Sequence, residues 1–368
     1  VKKRGLYERL DKMDNIAITK STTLKEKYKD PSELVFGRRF TDHMLQMDFD
    51  PENGWHDMRI EPYAPVPMDP ASSVLHYGQA IFEGMKAYKS PEGEILLFRP
   101  EENFMRLNSS AKRLSIPEID VEQALFGLNE LLKIEKDWIP AARGTSLYIR
   151  PFIVATDPFI GLRASQLYKF MIILSPVGMY YAEGFNPIKI FVEDEYVRAV
   201  RGGTGFTKAA GNYAGSLYAE VIAKKKGYAQ VLWLDALENR YCEEVGSMNI
   251  FFVIGDELIT PMLSGSILPG ITRKSVIQLA QDLGYRVSER MIGIDEVYEA
   301  HAGGQLKEIF GTGTAAVISP VGLLDWDGRV ITVNDMKTGP VTKLLYDKLT
   351  GIQYGDLPDK FGWVVKVQ

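Results

Sequence analysis

The sequence is poor in the groups that make staples, anchors and metal cages. Cys242 is the one cysteine in 368 residues. A lone thiol closes no disulfide within its own chain and cannot build a multi-cysteine zinc site; a reducing, cytoplasmic setting fits. No run of about 18 apolar residues occurs, so no membrane span is expected. Basic residues are not in excess: 43 Lys and Arg stand against 48 Asp and Glu, for a net charge of −5. That balance argues against nucleic acid and against anionic membrane as partners. The triplet Lys224-Lys225-Lys226 closes a predicted helix, where cations suit the helix dipole. Behind Val1-Lys2-Lys3-Arg4 there is no apolar run, so no signal peptide is read. A chain starting with Val is compatible with a trimmed leader. Internal repeats and low-complexity segments are missing too.

What is present suffices for two cores. The chain is 45% hydrophobic and 25% charged, and single cores seldom grow beyond roughly 250–300 residues. Helix and strand signals alternate, which predicts an α/β or α+β fold. Residues 1–60 are polar, with strands only hinted at. Strands are predicted at 95–98, 146–155 and 167–174, and helices at 101–114 and 121–134, the latter with Val121, Leu125, Leu128 and Leu132 on one stripe. Ser175-Pro176-Val177-Gly178 breaks the pattern. From Ile188 the rhythm changes: strands at 188–192 and 230–234, a helix at 212–226 stopped by Gly227, a hairpin about Gly255-Asp256, and a helix at 271–283. Gly311-Thr312-Gly313-Thr314 is read as a turn between strands 307–310 and 315–318, and a last helix starts at Pro340. The domain expectation is 1–176, a connecting loop 177–187, and 188–368.

One segment draws attention: Gly202-Gly203-Thr204-Gly205-Phe206-Thr207-Lys208. It is not a Walker phosphate loop, which needs Gly directly before Lys and Ser or Thr directly after it; here Thr207 precedes and Ala209 follows. It is no dinucleotide fingerprint either. Taken alone, it is as well read as a loop with an exposed lysine. Other pieces follow in order: Gly211-Asn212-Tyr213; Glu244-Val245-Gly246-Ser247-Met248-Asn249-Ile250; Ile267-Leu268-Pro269-Gly270-Ile271-Thr272-Arg273; Phe310-Gly311-Thr312-Gly313-Thr314-Ala315. Upstream stand Leu75-His76-Tyr77, Phe82-Glu83-Gly84-Met85-Lys86, Leu97-Phe98-Arg99-Pro100 with Arg106, and Gly144-Thr145-Ser146-Leu147-Tyr148-Ile149-Arg150-Pro151. Each is weak alone. Together, from about residue 30 to the C-terminus, they resemble the fold-type IV enzymes that use pyridoxal 5′-phosphate (PLP), most closely the branched-chain amino-acid aminotransferases.

The resemblance implies a smaller N-terminal α/β domain, a larger PLP-binding domain, and a role for each matching residue. Lys208 would form the Schiff base with PLP and then move the proton, since such chemistry needs a deprotonated amine. Glu244 would keep the ring nitrogen protonated, because a carboxylate beside it raises its pKa; the adjacent Glu243 is expected to face solvent. Tyr213 would bond the phenolic oxygen. For the phosphate, Gly270, Ile271 and Thr272 open a helix whose N–H groups suit a dianion. Thr312 and Arg106 would add contacts, Arg106 being preferred to Arg99. Arg198, Ser247 and Leu268 complete the cofactor set.

On the substrate side the resemblance implies Tyr77, Phe82, Tyr148 and Tyr180 as apolar walls, with Thr314 and Ala315 offering N–H groups to a carboxylate. Tyr148 and Arg150 are two apart on a strand and so share a face, where a cation could hold glutamate's second carboxylate. Leu162 matches a loop that completes the site of a partner subunit, which implies a homodimer. The reaction implied is amino transfer between leucine, isoleucine or valine and 2-oxoglutarate. For any single aromatic or arginine, core packing or a surface ion pair is the competing reading. One departure stands out: the paired cysteines that mammalian members carry are Ala316 and Ser319 here. The rivals are a D-amino-acid aminotransferase or aminodeoxychorismate lyase on the same fold, and a phosphoanion-binding module without catalysis. No metal is expected.

Overall fold

The structure is a computed structural model that describes residues 16–178 and 185–367. The chain divides into two compact units, Val1–Met179 with Gln353–Gln368, and Tyr180–Ile352. Residues 179–184, in the expected connecting loop, lie outside the described residues, and Tyr180 lies among them.

The first unit is built on a nine-stranded sheet. Its strands are β1 (Ala17–Ile18), β2 (His43–Asp50), β3 (Gly54–Pro62), β4 (Ala80–Phe82), β5 (Met85–Lys89), β6 (Ile95–Phe98), β7 (Ser146–Ala155), β8 (Tyr168–Val177) and the C-terminal strand Val364–Lys366. The order is β1-β3-β2-β8-β7-β5-β6 and then the C-terminal strand, which pairs with β6. That pairing carries the chain's end out of the expected 188–368 domain and into the first unit. Helices α1 (Ser73–Tyr77), α2 (Pro100–Arg113) and α3 (Val121–Ile134) complete the unit. Phe104, Leu107, Leu128 and Leu131 of α2 and α3 share one core with Leu45, Ile60, Met85, Leu147, Ile149 and Ile153 of the sheet. Side chains alternate along a strand, so Lys86, Tyr148 and Arg150 take the opposite face.

Two expectations need correction here. The 1–60 stretch contains β2 and β3, an eight- and a nine-residue strand; polar side chains on the outer face hid the alternation. Strand β8 also runs through Ser175-Pro176. Strand β2 pairs with β8 only as far as Ile172; beyond it the bonds are Thr41 N to Leu174 O and Gly178 N to Leu34 O, so Pro176 falls between them where no ladder donor is required.

The second unit holds β9 (Ile188–Glu193), β10 (Gln230–Leu234), β11 (Cys242–Val245), β12 (Met248–Ile254), β13 (Glu257–Pro261), β14 (Arg286–Arg290), β15 (Leu306–Gly313), β16 (Val317–Trp326) and β17 (Arg329–Thr332), with helices α4 (Ala210–Lys225), α5 (Ile271–Asp282), α6 (Ile294–Ala302) and α7 (Pro340–Gln353). The order β11-β10-β9-β16-β15-β12 closes on itself, because β12 also pairs with β11. A closed ring needs an interior of packed side chains. Ile190, Val192, Leu232, Val245, Met248, Ile250, Phe252, Ile309 and Val321 form that core. The alternate residues, among them Trp233, Glu244, Asn249 and Thr312, point outward. Gly311-Thr312-Gly313 lies inside β15 rather than in a turn. A Cβ on Gly311 would come within 2.8 Å of Met248 Cε and 3.0 Å of Val245 Cγ1, so the glycine lets two strands pack tightly. The turn is Thr314–Ala315–Ala316, which enters β16 through Val317 at φ 62°.

Outside the ring, α4 covers β9 and β10 by packing Ala219 and Ala223 on Val231 and Trp233. No helix among the described residues is long and apolar enough to cross a membrane. Trp233 is the bulkiest fully buried side chain, and its Nε1 donates to Gly246 O at 3.1 Å. Trp233→Ala is expected to cost about 3–5 kcal/mol. Denaturant unfolding read by circular dichroism checks this, and a loss under about 1 kcal/mol would contradict the packing described.

Candidate active site

The second unit carries a group of candidate residues on the outer face of its ring. Register sets the row: Trp233 opposes Glu244, Glu244 opposes Asn249, and Asn249 opposes Thr312. Directly opposed residues share a face, so a carboxylate, an amide and a hydroxyl stand side by side. All three are buried. Glu244 Oε1 accepts from Asn249 Nδ2 at 3.1 Å and from Leu268 N at 3.2 Å, while Asn249 also donates to Leu268 O at 2.9 Å. Asn249 thus pins the segment that leads into α5. Gly270 caps that helix, and a Cβ there would collide with Asn249 Oδ1. The helix starts at Ile271-Thr272 without a side-chain cap, leaving first-turn N–H groups that suit an anion.

Lys208 ends the glycine-rich loop just before α4. Asn212, in the first turn of α4, ties the loop down: its Nδ2 donates to Thr204 O and Thr207 O at 2.8 and 3.0 Å, and its Oδ1 accepts from Thr204 Oγ1 at 2.6 Å. Lys208 Nζ donates to Tyr213 Oη at 3.1 Å. Gly205 must be glycine, because a Cβ would overlap Ser266 O. Arg198 gathers these parts. Its Nη2 donates to Gly205 O at 3.0 Å and to Ser266 O, and its Nε stands 2.5 Å from Glu244 Oε2, an ion pair not aligned as a hydrogen bond. Ser247 lies exposed in the turn between β11 and β12, and Thr314 and Ala315 are half-buried.

Burial pushes the Glu244 carboxyl up to about 7, against the pull of the Arg198 guanidinium, the Leu268 N–H and Lys208. Glu243, expected at the surface, is buried beside it, and burial raises its carboxyl as well. The strand is covered on both faces, which a pair of adjacent glutamates does not announce. Cys242 is also buried, and burial raises its thiol above the ordinary range, the opposite of a reactive cysteine.

The first unit presents a second group. Strands β4 and β5 follow one another along the same edge of β7, with Glu83-Gly84 between them. Phe82, Tyr148 and Arg150 come together: Arg150 Nη2 donates to Tyr148 Oη at 3.0 Å, and its guanidinium lies 4.7 Å from the Phe82 ring centre. Phe36 packs edge-on to Tyr148 at 4.9 Å. A Cβ on Gly84 would run into the Tyr148 hydroxyl, so Gly84 is what lets that ring lie against the strand. Tyr77 ends α1 and donates its hydroxyl to Ile160 O, which ties it to the loop carrying Leu162; Leu162 is 82% exposed. Arg106, half-buried, makes a two-point ion pair with the buried Glu83, Nε to Oε1 at 2.7 Å and Nη2 to Oε2 at 2.9 Å. Arg99 packs 5.2 Å from the Trp363 ring and pairs with Glu102, a structural engagement.

Sequence reasoning quoted Asn212, Asn249, Glu83 and Lys86 within motifs but gave them no role. Their signal was a polar residue at a buried position of a strand or helix start. Lys86 opposes Tyr148 in register, and burial lowers its amine to about 8. Among the described residues no group of His, Cys, Asp and Glu could hold a metal.

The second-unit residues fit a phosphorylated aromatic cofactor. The Thr312 hydroxyl is buried with no hydrogen-bond partner among the described residues, which is costly unless a ligand supplies one. The same row holds a buried carboxylate, and α5 offers its N-terminus. One consequence concerns the protein without cofactor. A carboxyl raised from its unfolded value near 4.5 to about 7 favours the folded state below pH 4.5, and that contribution is lost as pH climbs through 7. Full loss would be on the order of 3 kcal/mol. Between pH 5 and 8 the cofactor-free protein should therefore lose more stability than its Glu244→Gln variant. Melting curves at both pH values decide it, and parallel losses would place Glu244 in a wetter setting.

The chain is similar to known proteins over most of its length. Residues 80–324 match the family model for class IV amino-transferases. Branched-chain-amino-acid aminotransferase 2 of Bacillus subtilis (strain 168) is 60% identical over 346 residues, covering 94% of this chain and 95% of its own. The crystal structure of the Escherichia coli branched-chain amino acid aminotransferase is similar at a TM-score of 0.74 and 30% identity, covering 89% of this chain and 99% of that one. That of the branched-chain amino acid aminotransferase from Thermoproteus uzoniensis, solved with norvaline, reaches 0.73 at 28% identity, covering 89% and 100%. With the family model and these relatives spanning most of its length, the chain belongs to the branched-chain-amino-acid aminotransferases of the class IV family, enzymes that use pyridoxal 5′-phosphate.

Proposed function

We propose that this enzyme moves the amino group between L-leucine, L-isoleucine or L-valine and 2-oxoglutarate, with Lys208 as its reactive amine. The observation that carries the reading is Lys208 Nζ, held by Tyr213 Oη at 3.1 Å on a loop fixed by Asn212 and Arg198, in a unit that also carries the buried row Glu244, Asn249 and Thr312.

When bound, PLP supplies an aldehyde that takes up the amino group and a ring that accepts the electrons released at Cα. The chain's residues supply the rest. Lys208 would take the proton from the substrate's Cα and deliver it to the cofactor's C4′, a task for a positioned amine. Tyr213 orients Lys208 and offers a hydroxyl to the phenolic oxygen. Glu244, ionised beside Arg198, holds a proton at the ring nitrogen. The first-turn N–H groups at Gly270, Ile271 and Thr272, with the Thr312 hydroxyl, hold phosphate; Ser247 and Leu268 border the same segments. Arg106 is proposed as a further phosphate cation and Glu83 as the carboxylate that keeps its fork in place. Thr314 and Ala315 offer N–H groups to the α-carboxylate.

Phe82, Tyr148 and Tyr77 supply apolar surface for a branched side chain, and Arg150 supplies the charge that a second carboxylate needs. Solved branched-chain aminotransferases complexed with N-(5′-phosphopyridoxyl)-L-glutamate and with 4-methylvaleric acid support a site that takes both kinds of side chain. A homodimer is supported by exposed apolar side chains at Tyr196, Val197, Leu217, Tyr218 and Val221, and by Leu162 standing in solvent. Such patches on a lone subunit mark contact surfaces.

The test is to add L-leucine to the PLP-loaded enzyme and follow the cofactor's absorbance. Wild type should convert PLP to its amine form, whereas Lys208→Ala should fold, hold PLP loosely and not convert it; undiminished turnover by that variant would remove the reading. Arg150→Met should impair glutamate and 2-oxoglutarate far more than leucine, by about 2–3 kcal/mol in kcat/KM, the scale of a hydrogen bond to a charged group. Equal losses in the two half-reactions would give Arg150 a packing role and glutamate another holder.

A further inference from the structure

Glu243 has no part in the reaction proposed above, yet it is 5% exposed and bonded inside the second unit. Its Oε1 accepts from Ser266 Oγ and, at 3.4 Å, from Ser264 Oγ, and the two serine hydroxyls stand 2.7 Å apart. The main-chain oxygen of the same Ser266 accepts from Arg198 Nη2. Arg198 in turn reaches Gly205 O of the Lys208 loop and lies 2.5 Å from Glu244 Oε2. A continuous path therefore runs from Glu243 through Ser266 and Arg198 to Glu244, and it joins the three segments 198–208, 242–245 and 262–270.

We infer that Glu243 is a positioning residue: through Ser266 it fixes the loop that holds Arg198, and Arg198 so held keeps Glu244 ionised. The inference rests on the proposed cofactor chemistry, in which Glu244 faces a protonated ring nitrogen. The physical reason is distance. Burial drives Glu244 towards its neutral acid, and the nearby guanidinium opposes that. The attraction between unit charges falls with separation, so a loosened Arg198 would leave more of Glu244 protonated at and above neutral pH. A neutral acid no longer favours a protonated ring. Of the charged groups around Glu244, Arg198 and Lys208 favour its ionised form and the Glu243 charge opposes it, so what Glu243 contributes is the placing of Arg198; the charged groups around Glu243 are Arg198 and Asp235. Trp233, Asn249 and Leu268, from the neighbouring strands and loop, are neutral.

The role is hydrogen bonding rather than charge, because what reaches the serines is one acceptor oxygen. Glutamine keeps that oxygen and alanine does not. A cavity of about 300 Å³ adjoins the clamp, lined by Glu243, Ser264 and Ser266 with Ala199, Arg201 and Leu263. It gives a small carboxylate such as formate a way to the space that a Glu243→Ala side chain would vacate.

The experiment titrates the full-length, cofactor-free chain with PLP by absorbance at a series of pH values, and records the midpoint at which affinity falls on acidification. Melting of the cofactor-free protein is read alongside to show that each variant folds. Glu243→Ala and Ser266→Ala should move the midpoint up by about one pH unit, a tenfold weakening near neutrality. Glu243→Gln should stay at or slightly below the wild-type midpoint, because it also removes a charge that raises Glu244, and formate should return Glu243→Ala towards wild type. Unchanged midpoints in both Glu243→Ala and Ser266→Ala, with only melting lowered, would overturn the inference. A Glu243→Gln shift as large as that of alanine would also overturn it, by showing that charge rather than position matters. A wild-type chain that binds no PLP at any pH would instead remove the proposed function, and this inference with it.

Discussion

Glu244 is withdrawn from water, and a carboxylate in that position keeps its charge only where donors and a cation are already in place. Much of the second unit's local architecture meets that requirement. Asn249 and Leu268 N satisfy one oxygen, and Arg198 stands against the other. To bring Arg198 there, the chain folds the 198–208 loop so that Gly205 can lie under Ser266 O without a Cβ. To bring Leu268 there, Asn249 pins the segment that then opens α5. The loop carrying Lys208 and the helix end suited to phosphate are thus positioned by the contacts that stabilise one buried charge.

The first unit shows the same logic around a different pair. Glu83 is fully buried at the break between β4 and β5, and Arg106 reaches it from α2 with two hydrogen bonds. Removing one partner of such a pair leaves a buried charge, which costs more than the pair itself contributes. Gly84, next in sequence, makes room for the Tyr148 hydroxyl, and Tyr148 in turn meets Arg150. One short segment therefore orients an arginine on one side and an aromatic wall on the other.

Much of this was legible in the sequence. Periodicity placed α2, α3, α4 and α5 to within a residue or two, and strand spacing put Tyr148 and Arg150 on one face. Sequence could not show that β12 pairs with both β11 and β15, because ring closure joins residues far apart in the chain. That closure draws Gly311 and Thr312 into a strand, where a glycine-rich stretch would otherwise read as a turn. Glu243 lies inside for a different reason: the register shifts between Trp233 and Leu234, so that Glu244 and Cys242 pair while Glu243 is skipped, and the segment of Ser264 and Ser266 covers it. The strands in the 43–62 region were hidden for another reason. Asp48, Asp57, Arg59 and Glu61 form an ion-pair group on their outer face, and such charges resemble a loop in a linear sequence. Tyr180 lies outside the described residues, and its expected place in the substrate pocket stays a proposal.

The central claim is that Lys208 is the amine on which the cofactor is carried. Its sharpest competitor inside the protein is Lys86, a buried lysine whose amine is lowered to about 8, and which therefore has a chemical claim of its own. Borohydride reduction of the PLP-loaded protein, followed by digestion and mass spectrometry, locates the attachment directly. The account predicts the reduced phosphopyridoxyl group on the peptide containing Lys208 and on no other. Its recovery on Lys86, or a protein that gains no such mass, would contradict the account.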